Sequence, residues 1–81
     1  MDTDKRFSSS NLALCAAIHS KGCQLIDHFH GEFDGKVIFY FDDYEKCKEY
    51  EQKWLANTLE VKAHEYHLSL RILKGVLYAD K

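Results

Sequence analysis

The segment Lys36-Val37-Ile38-Phe39-Tyr40-Phe41-Asp42 decides the fold. Its five central residues are β-branched or aromatic, which suits a strand. They are apolar on both faces, where a strand with one wet face would alternate apolar with polar. Each side of this strand therefore calls for a cover, supplied by helices or by a second copy of the chain.

Immediately upstream, Gly31-Glu32-Phe33-Asp34-Gly35 supplies the backbone freedom of a hairpin connection. Before it, Cys23 to His30 reads as a half-buried strand. Strict alternation puts Cys23, Leu25, Asp27 and Phe29 on one face and Gln24, Ile26, His28 and His30 on the other. Further back, Ser8, Ser9 or Ser10 can cap a helix over about Asn11 to Lys21 that stops at Gly22. Its apolar arc is Leu12, Leu14, Cys15, Ala16 and Ile18. Ala13, Ala17 and Ser20 are small enough to admit a second close neighbour.

Downstream, Asp42 and Asp43 stand where helix N-caps belong, and Tyr44 to Asn57 reads as a helix. One face carries Tyr44, Cys47, Tyr50, Trp54 and Leu55, with Trp54 as a central packing residue and a Glu49/Lys53 pair outside. A last helix from about Lys62 to Tyr78 buries Tyr66, Ser69, Leu70, Leu73, Val76 and Leu77. Short extra strands are expected at Arg6 to Ser8 and at Leu59 to Val61. The fold class is α+β: an antiparallel hairpin packed with three helices in the order (β)αββα(β)α. Residues 6–79 form one domain behind a flexible stretch over residues 1–5, because 81 residues are too few to divide a core.

Composition narrows the function classes. The chain is 46% hydrophobic and 14% aromatic, so it has the apolar surface to fold. Its net charge of −2 gives no chain-wide attraction to nucleic acid. The first ten residues lack the apolar core of a signal peptide, and no stretch is long enough to span a membrane, so a cytoplasmic setting is expected. Cys15, Cys23 and Cys47 lack Cys-x-x-Cys spacing and read as reduced thiols rather than a disulfide framework.

Few constellations carry chemistry. Cys15, His19 and Cys23 are spaced by four on or after a helix, and His28 and His30 on one strand face make a second metal-like set with His64 and His67 on one helix face. Either set could ligate zinc, and a metal-dependent regulator using them is the weakest functional reading. A small buried cysteine and a hydrogen-bonded core histidine explain Cys15 and His19 better. Asp42 and Asp43 read as caps, and Glu51 as a carboxylate reaching solvent from a packing edge. Phosphate loops, nucleophile elbows and His-Glu-x-x-His motifs do not occur, so no cofactor is expected and an enzyme is the least favoured class.

The polar face of the last helix gathers His64, His67, Arg71, Lys74 and Tyr78 on about a third of the wheel. Cations beside an aromatic can pair charge with stacking, which makes this face a candidate surface for a partner or for nucleic acid. A merely solvated face is about twice as expected, since two formal charges leave a small electrostatic footprint.

A set of residues runs through these elements: Phe7-Ser8-Ser9 before Leu12, Gly22-x-x-Leu25-Ile26, Lys36-Val37-Ile38-Phe39-Tyr40-Phe41-Asp42, Trp54, Leu59-Glu60-Val61, and Glu65-Tyr66 with Leu70 and Leu73-Lys74. Together they resemble a family of small bacterial and phage proteins of about this length, classified as a domain of unknown function. The resemblance covers Phe7 to Tyr78 and rests on packing positions. It implies a prokaryotic or phage cytoplasmic setting and supplies no catalytic or binding residue. The first functional expectation is therefore a non-enzymatic protein-interaction module acting as a homodimer or small homo-oligomer. The second is a nucleic-acid-binding accessory factor using the last helix. No membrane partner is expected.

Overall fold

In the computed structural model, which describes residues 6–31 and 36–79, the order is β1 (Phe7–Ser9), α1 (Leu12–Ser20), β2 (Leu25–His30), β3 (Val37–Phe41), α2 (Tyr44–Leu55) and α3 (Ala63–Ala79). β3 is the middle strand of an antiparallel sheet ordered β1-β3-β2. The α+β class and three helices are as the sequence indicates. The expected strand at Arg6 to Ser8 is β1, while residues 59–61 form no strand. The expected flexible stretch over residues 1–5 and the interior of the hairpin loop, residues 32–35, lie outside the described residues. The molecule measures 19 Å in its shortest dimension, the thickness of one sheet plus one helix layer at about 10 Å each.

Register divides the sheet into two unlike faces. Phe7 pairs with Phe41 on one side of β3 and Leu25 on the other, while His28 pairs with Phe39 and His30 with Val37. Partners in an antiparallel ladder point the same way, so these residues make the inner face. Val37, Phe39 and Phe41 are buried there in one cluster with Leu14, Cys15, Ala16, Ile18, Cys47 and Leu73 from the helices. The outer face carries Ser8, Asp27, Phe29, Ile38 and Tyr40. Phe29 is 56% exposed.

The faces of β2 differ from strict alternation, and the reason is a bulge. Leu25 pairs with Phe41 and Asp27 with Tyr40, so Ile26 is an extra residue with no partner of its own. Beyond it the phase flips. His28 and His30 therefore lie on the inner side with Leu25, rather than opposite it.

The helix ends follow local chemistry. Asn11, and not a serine, caps α1, its Oδ1 accepting the Leu14 N–H at 3.2 Å. Ser9 is engaged in β1, where its Oγ accepts the Asn11 N–H at 3.1 Å. At the other end, Cys23 N–H donates to Ile18 O and Gly22 N–H to His19 O, the two bonds of a Schellman motif. Gly22 supplies the left-handed residue at φ 106°. α2 is capped by Asp43, as expected of an aspartate there, although Asp43 itself is left-handed at φ 62°. α2 ends at Leu55 in a second Schellman pair, Thr58 N–H to Lys53 O and Asn57 N–H to Trp54 O.

α1 is enclosed, with Leu14, Cys15, Ala16, Ala17 and Ile18 all buried, and its most extensive helix packing is on α3. Two residues of α2 depart from expectation. Leu55 is 76% exposed at the helix end, and Trp54 packs half-buried at the margin of the core rather than at its centre. The Glu49–Lys53 pair forms as expected, at 3.5 Å.

Gly22 and Gly75 give one stability prediction with opposite signs. A Cβ at either meets no atom within 4 Å, so only backbone preference decides. Gly22→Ala forces an L side chain into positive φ and should cost about 1–2 kcal/mol. Gly75→Ala, in the middle of α3, should gain about 0.5–1 kcal/mol. Urea midpoints of the two variants check both signs.

Candidate functional site

The cationic face of α3 is open. His64, His67, Arg71, Lys74 and Tyr78 are all exposed, because Ser69 and Leu73 turn the opposite side of the helix into the core. At 1.5 Å per residue the row from His64 to Tyr78 runs about 21 Å along the helix. The structure adds an apolar stripe beside it: Leu68 is 42% and Ile72 52% exposed. These two leucine-type positions fall between the buried arc and the cationic row on the helical wheel. That intermediate angle is the signal in the sequence for a partly apolar surface.

The candidate metal ligands are not assembled. Among the described residues no three His, Cys, Asp or Glu side chains come together as a site for an ion. Cys15 Sγ donates to Ser9 O at 3.6 Å, and burial pushes its thiol up to about 11. His28 and His30 stack edge to face with centroids 5.7 Å apart, on the sheet. His64 and His67 are exposed on α3 and do not join them.

His19 reaches across to α3, where its Nδ1 lies 2.8 Å from Ser69 Oγ. That distance is nucleophile–base geometry, yet Ser69 is only 4% exposed. A substrate carbonyl has no route to the hydroxyl, and the pair works as a tie between α1 and α3. Burial lowers the His19 pKa from 6.5, because taking the imidazolium out of water disfavours the charged form. The unfolded chain then binds the proton more readily, so this histidine's contribution to stability is full above its unfolded pKa and is lost as pH falls from there through the lower folded value. Denaturation midpoints at neutral and mildly acidic pH should drop further for the native chain than for His19→Gln.

The sequence pattern does not foreshadow one cleft, of about 410 Å³, lined by Lys21, Lys46, Lys53, Glu49, Glu60 and Tyr50 among others. Tertiary structure gathers Lys21 from the C-cap of α1, Lys46 and Lys53 from α2, and Glu60 from the α2–α3 connection. Two are already engaged: Lys21 Nζ donates to Glu60 O at 3.1 Å, and Lys53 pairs with Glu49. The cleft is a mixed-charge surface with little spare positive potential. Glu51, at the packing edge of α2, pairs with Lys48 at 3.0 Å.

The outer sheet face is the other uncommitted surface. The Arg6 guanidinium lies 4.8 Å over the Tyr40 ring, a cation–π contact. Asp27 is the cross-strand neighbour of Tyr40 on its other side. One aromatic thus stands between a cation and an anion, with Ile38 and Phe29 next along the face. No helix among the described residues is long and apolar enough to cross a membrane. Compared with protein-family models, curated proteins and solved structures, the chain matches none.

Proposed function

We propose that this chain is a small non-enzymatic protein-interaction module of bacterial or phage origin that pairs with a second copy of itself through the outer face of its sheet. The observation that supports this reading is the apolar surface of Phe29, Ile38 and Tyr40 on the side away from the helix layer. Exposed apolar patches of this kind mark interaction surfaces. Self-pairing is favoured because Arg6 and Asp27 flank Tyr40 with opposite charges. A two-fold axis through such a patch can set each cation against the other copy's anion. The bulge at Ile26 disrupts the β2 edge, which favours face-to-face over edge-to-edge association.

Sedimentation equilibrium across a concentration series tests the reading. A dimer is expected, weakened by Phe29→Lys and by Asp27→Arg, and restored when Asp27→Arg is combined with Arg6→Asp. Circular dichroism establishes that each variant is folded. A monomer throughout the series overturns the proposal.

A second reading, a nucleic-acid-binding accessory factor, is favoured by the exposure of His64, His67, Arg71, Lys74 and Tyr78 along one face of α3. Binding to single- or double-stranded oligonucleotides should then weaken with salt, with a log–log slope of about −2 for two phosphate contacts. The double variant Arg71→Glu, Lys74→Glu should abolish it, and unchanged binding at low salt ends this reading.

A further inference from the structure

The fold brings together two thiols that the sequence keeps far apart. Cys23 follows the left-handed Gly22 that ends α1, and Cys47 sits in the first turns of α2. The bond from Asp42 N–H to Gln24 O, 3.0 Å, ties the residue after Cys23 to the residue before the α2 cap. Cys47 Sγ lies 3.3 Å from Asp42 O, and the Cys23 and Cys47 thiols are close enough for each to affect the other's ionisation. Both belong to the buried cluster. Cys47 is wholly enclosed, whereas Cys23 is 7% exposed and lines a cleft of about 190 Å³ with Asp42, Asp43 and Lys46.

We propose that Cys23 and Cys47 are a covalent redox site, which a small peroxide oxidant converts reversibly to an intramolecular disulfide. Of the two residues, Cys23 is the one at a cleft. Its thiolate attacks hydrogen peroxide, the O–O bond breaks, and the sulfenic acid forms with hydroxide, which takes up the thiol proton as water. Cys47 then attacks the Cys23 sulfur, the S–S bond forms as the S–O bond breaks, and the second thiol proton leaves with hydroxyl as water. The balance is two thiols and one peroxide to one disulfide and two waters.

Burial raises both thiols above the ordinary cysteine value, so the reaction is slow at neutral pH and faster as pH rises. The product ties the end of α1 to the first turns of α2 and closes a loop that contains the whole β2–β3 hairpin. Cys15, buried and bonded to Ser9 O, remains a thiol. This inference is independent of the self-association reading, since neither sulfur lies on the outer sheet face.

The test is peroxide treatment of the reduced chain, alkylation of the remaining thiols under denaturing conditions, and peptide mapping by mass spectrometry. The expected product is a monomeric Cys23–Cys47 cross-link, two hydrogens lighter, with Cys15 alkylated. It should melt more than about 10 °C higher, given the loop closed and the size of the chain, and revert with dithiothreitol. A Cys47→Ala variant should stop at the Cys23 sulfenic acid, trapped by dimedone. Three alkylated thiols after treatment, a link through Cys15, a disulfide between two chains, or over-oxidation of Cys23 without a link would each overturn the proposal.

Discussion

Phe41→Ala is expected to lower the stability of this protein by about 3–5 kcal/mol, the range for emptying an aromatic site in a core. Phe41 is 0% exposed and lies on the middle strand, opposite Phe7 on one side and Leu25 on the other. Ladders on both edges hold β3 in place, so the sheet cannot close over the space the ring leaves. A domain of this length is stable by roughly 4–12 kcal/mol, so the variant loses about a quarter or more of the total. Urea denaturation followed by circular dichroism checks this, with Tyr40→Ala on the outer face as the comparison. Tyr40 is only half-buried, and its truncation should cost well under half as much in a dilute sample. Equal losses at the two positions would mean that the core does not lie on the side the register assigns to it.

Ala17→Leu should cost about 1–3 kcal/mol through overpacking. Ala17 is 0% exposed in a helix whose buried residues run without a break from Leu14 to Ile18. A helix with one wet face buries residues three and four apart, so five in succession mean that α1 has neighbours all round. Three added carbons at Ala17 must displace one of them. Ala13→Leu, at a half-buried position of the same helix, is the control and should cost less. Thermal melts of the pair distinguish this arrangement from one in which α1 has a free side, where both substitutions would be nearly neutral.

Much of this fold is legible residue by residue. The β-branched and aromatic run from Val37 to Phe41 can only be a strand buried on at least one side, Asp43 before Tyr44 starts a helix, and Gly22 ends one. Each of these depends on the backbone preferences of a few neighbouring residues. The cap of α1 lies one to three residues beyond the serines that the sequence offers, because Ser8, Ser9, Ser10 and Asn11 all accept an N–H equally well. The pairing of Phe7 to Ser9 with β3 commits Ser8 and Ser9 to the sheet, and the cap falls to Asn11. The phase of His28 and His30 was illegible for a similar reason: a bulge is created by the partner strand's register, and nothing in Leu25-Ile26-Asp27 announces it.

The candidate surfaces divide in the same way. His64, His67, Arg71, Lys74 and Tyr78 lie on one side of α3 by helical period alone, and their exposure follows from the apolar arc opposite. The sequence by itself determined the element types, the α+β class and that cationic row, because each rests on contacts within a few residues along the chain. Tertiary structure alone decided that the helices lie on one face of the sheet and leave Phe29, Ile38 and Tyr40 outside it. It alone brought His19 to Ser69 and Cys23 to Cys47, because those meetings depend on how separate elements stack, and stacking is set by the shapes of many buried side chains at once.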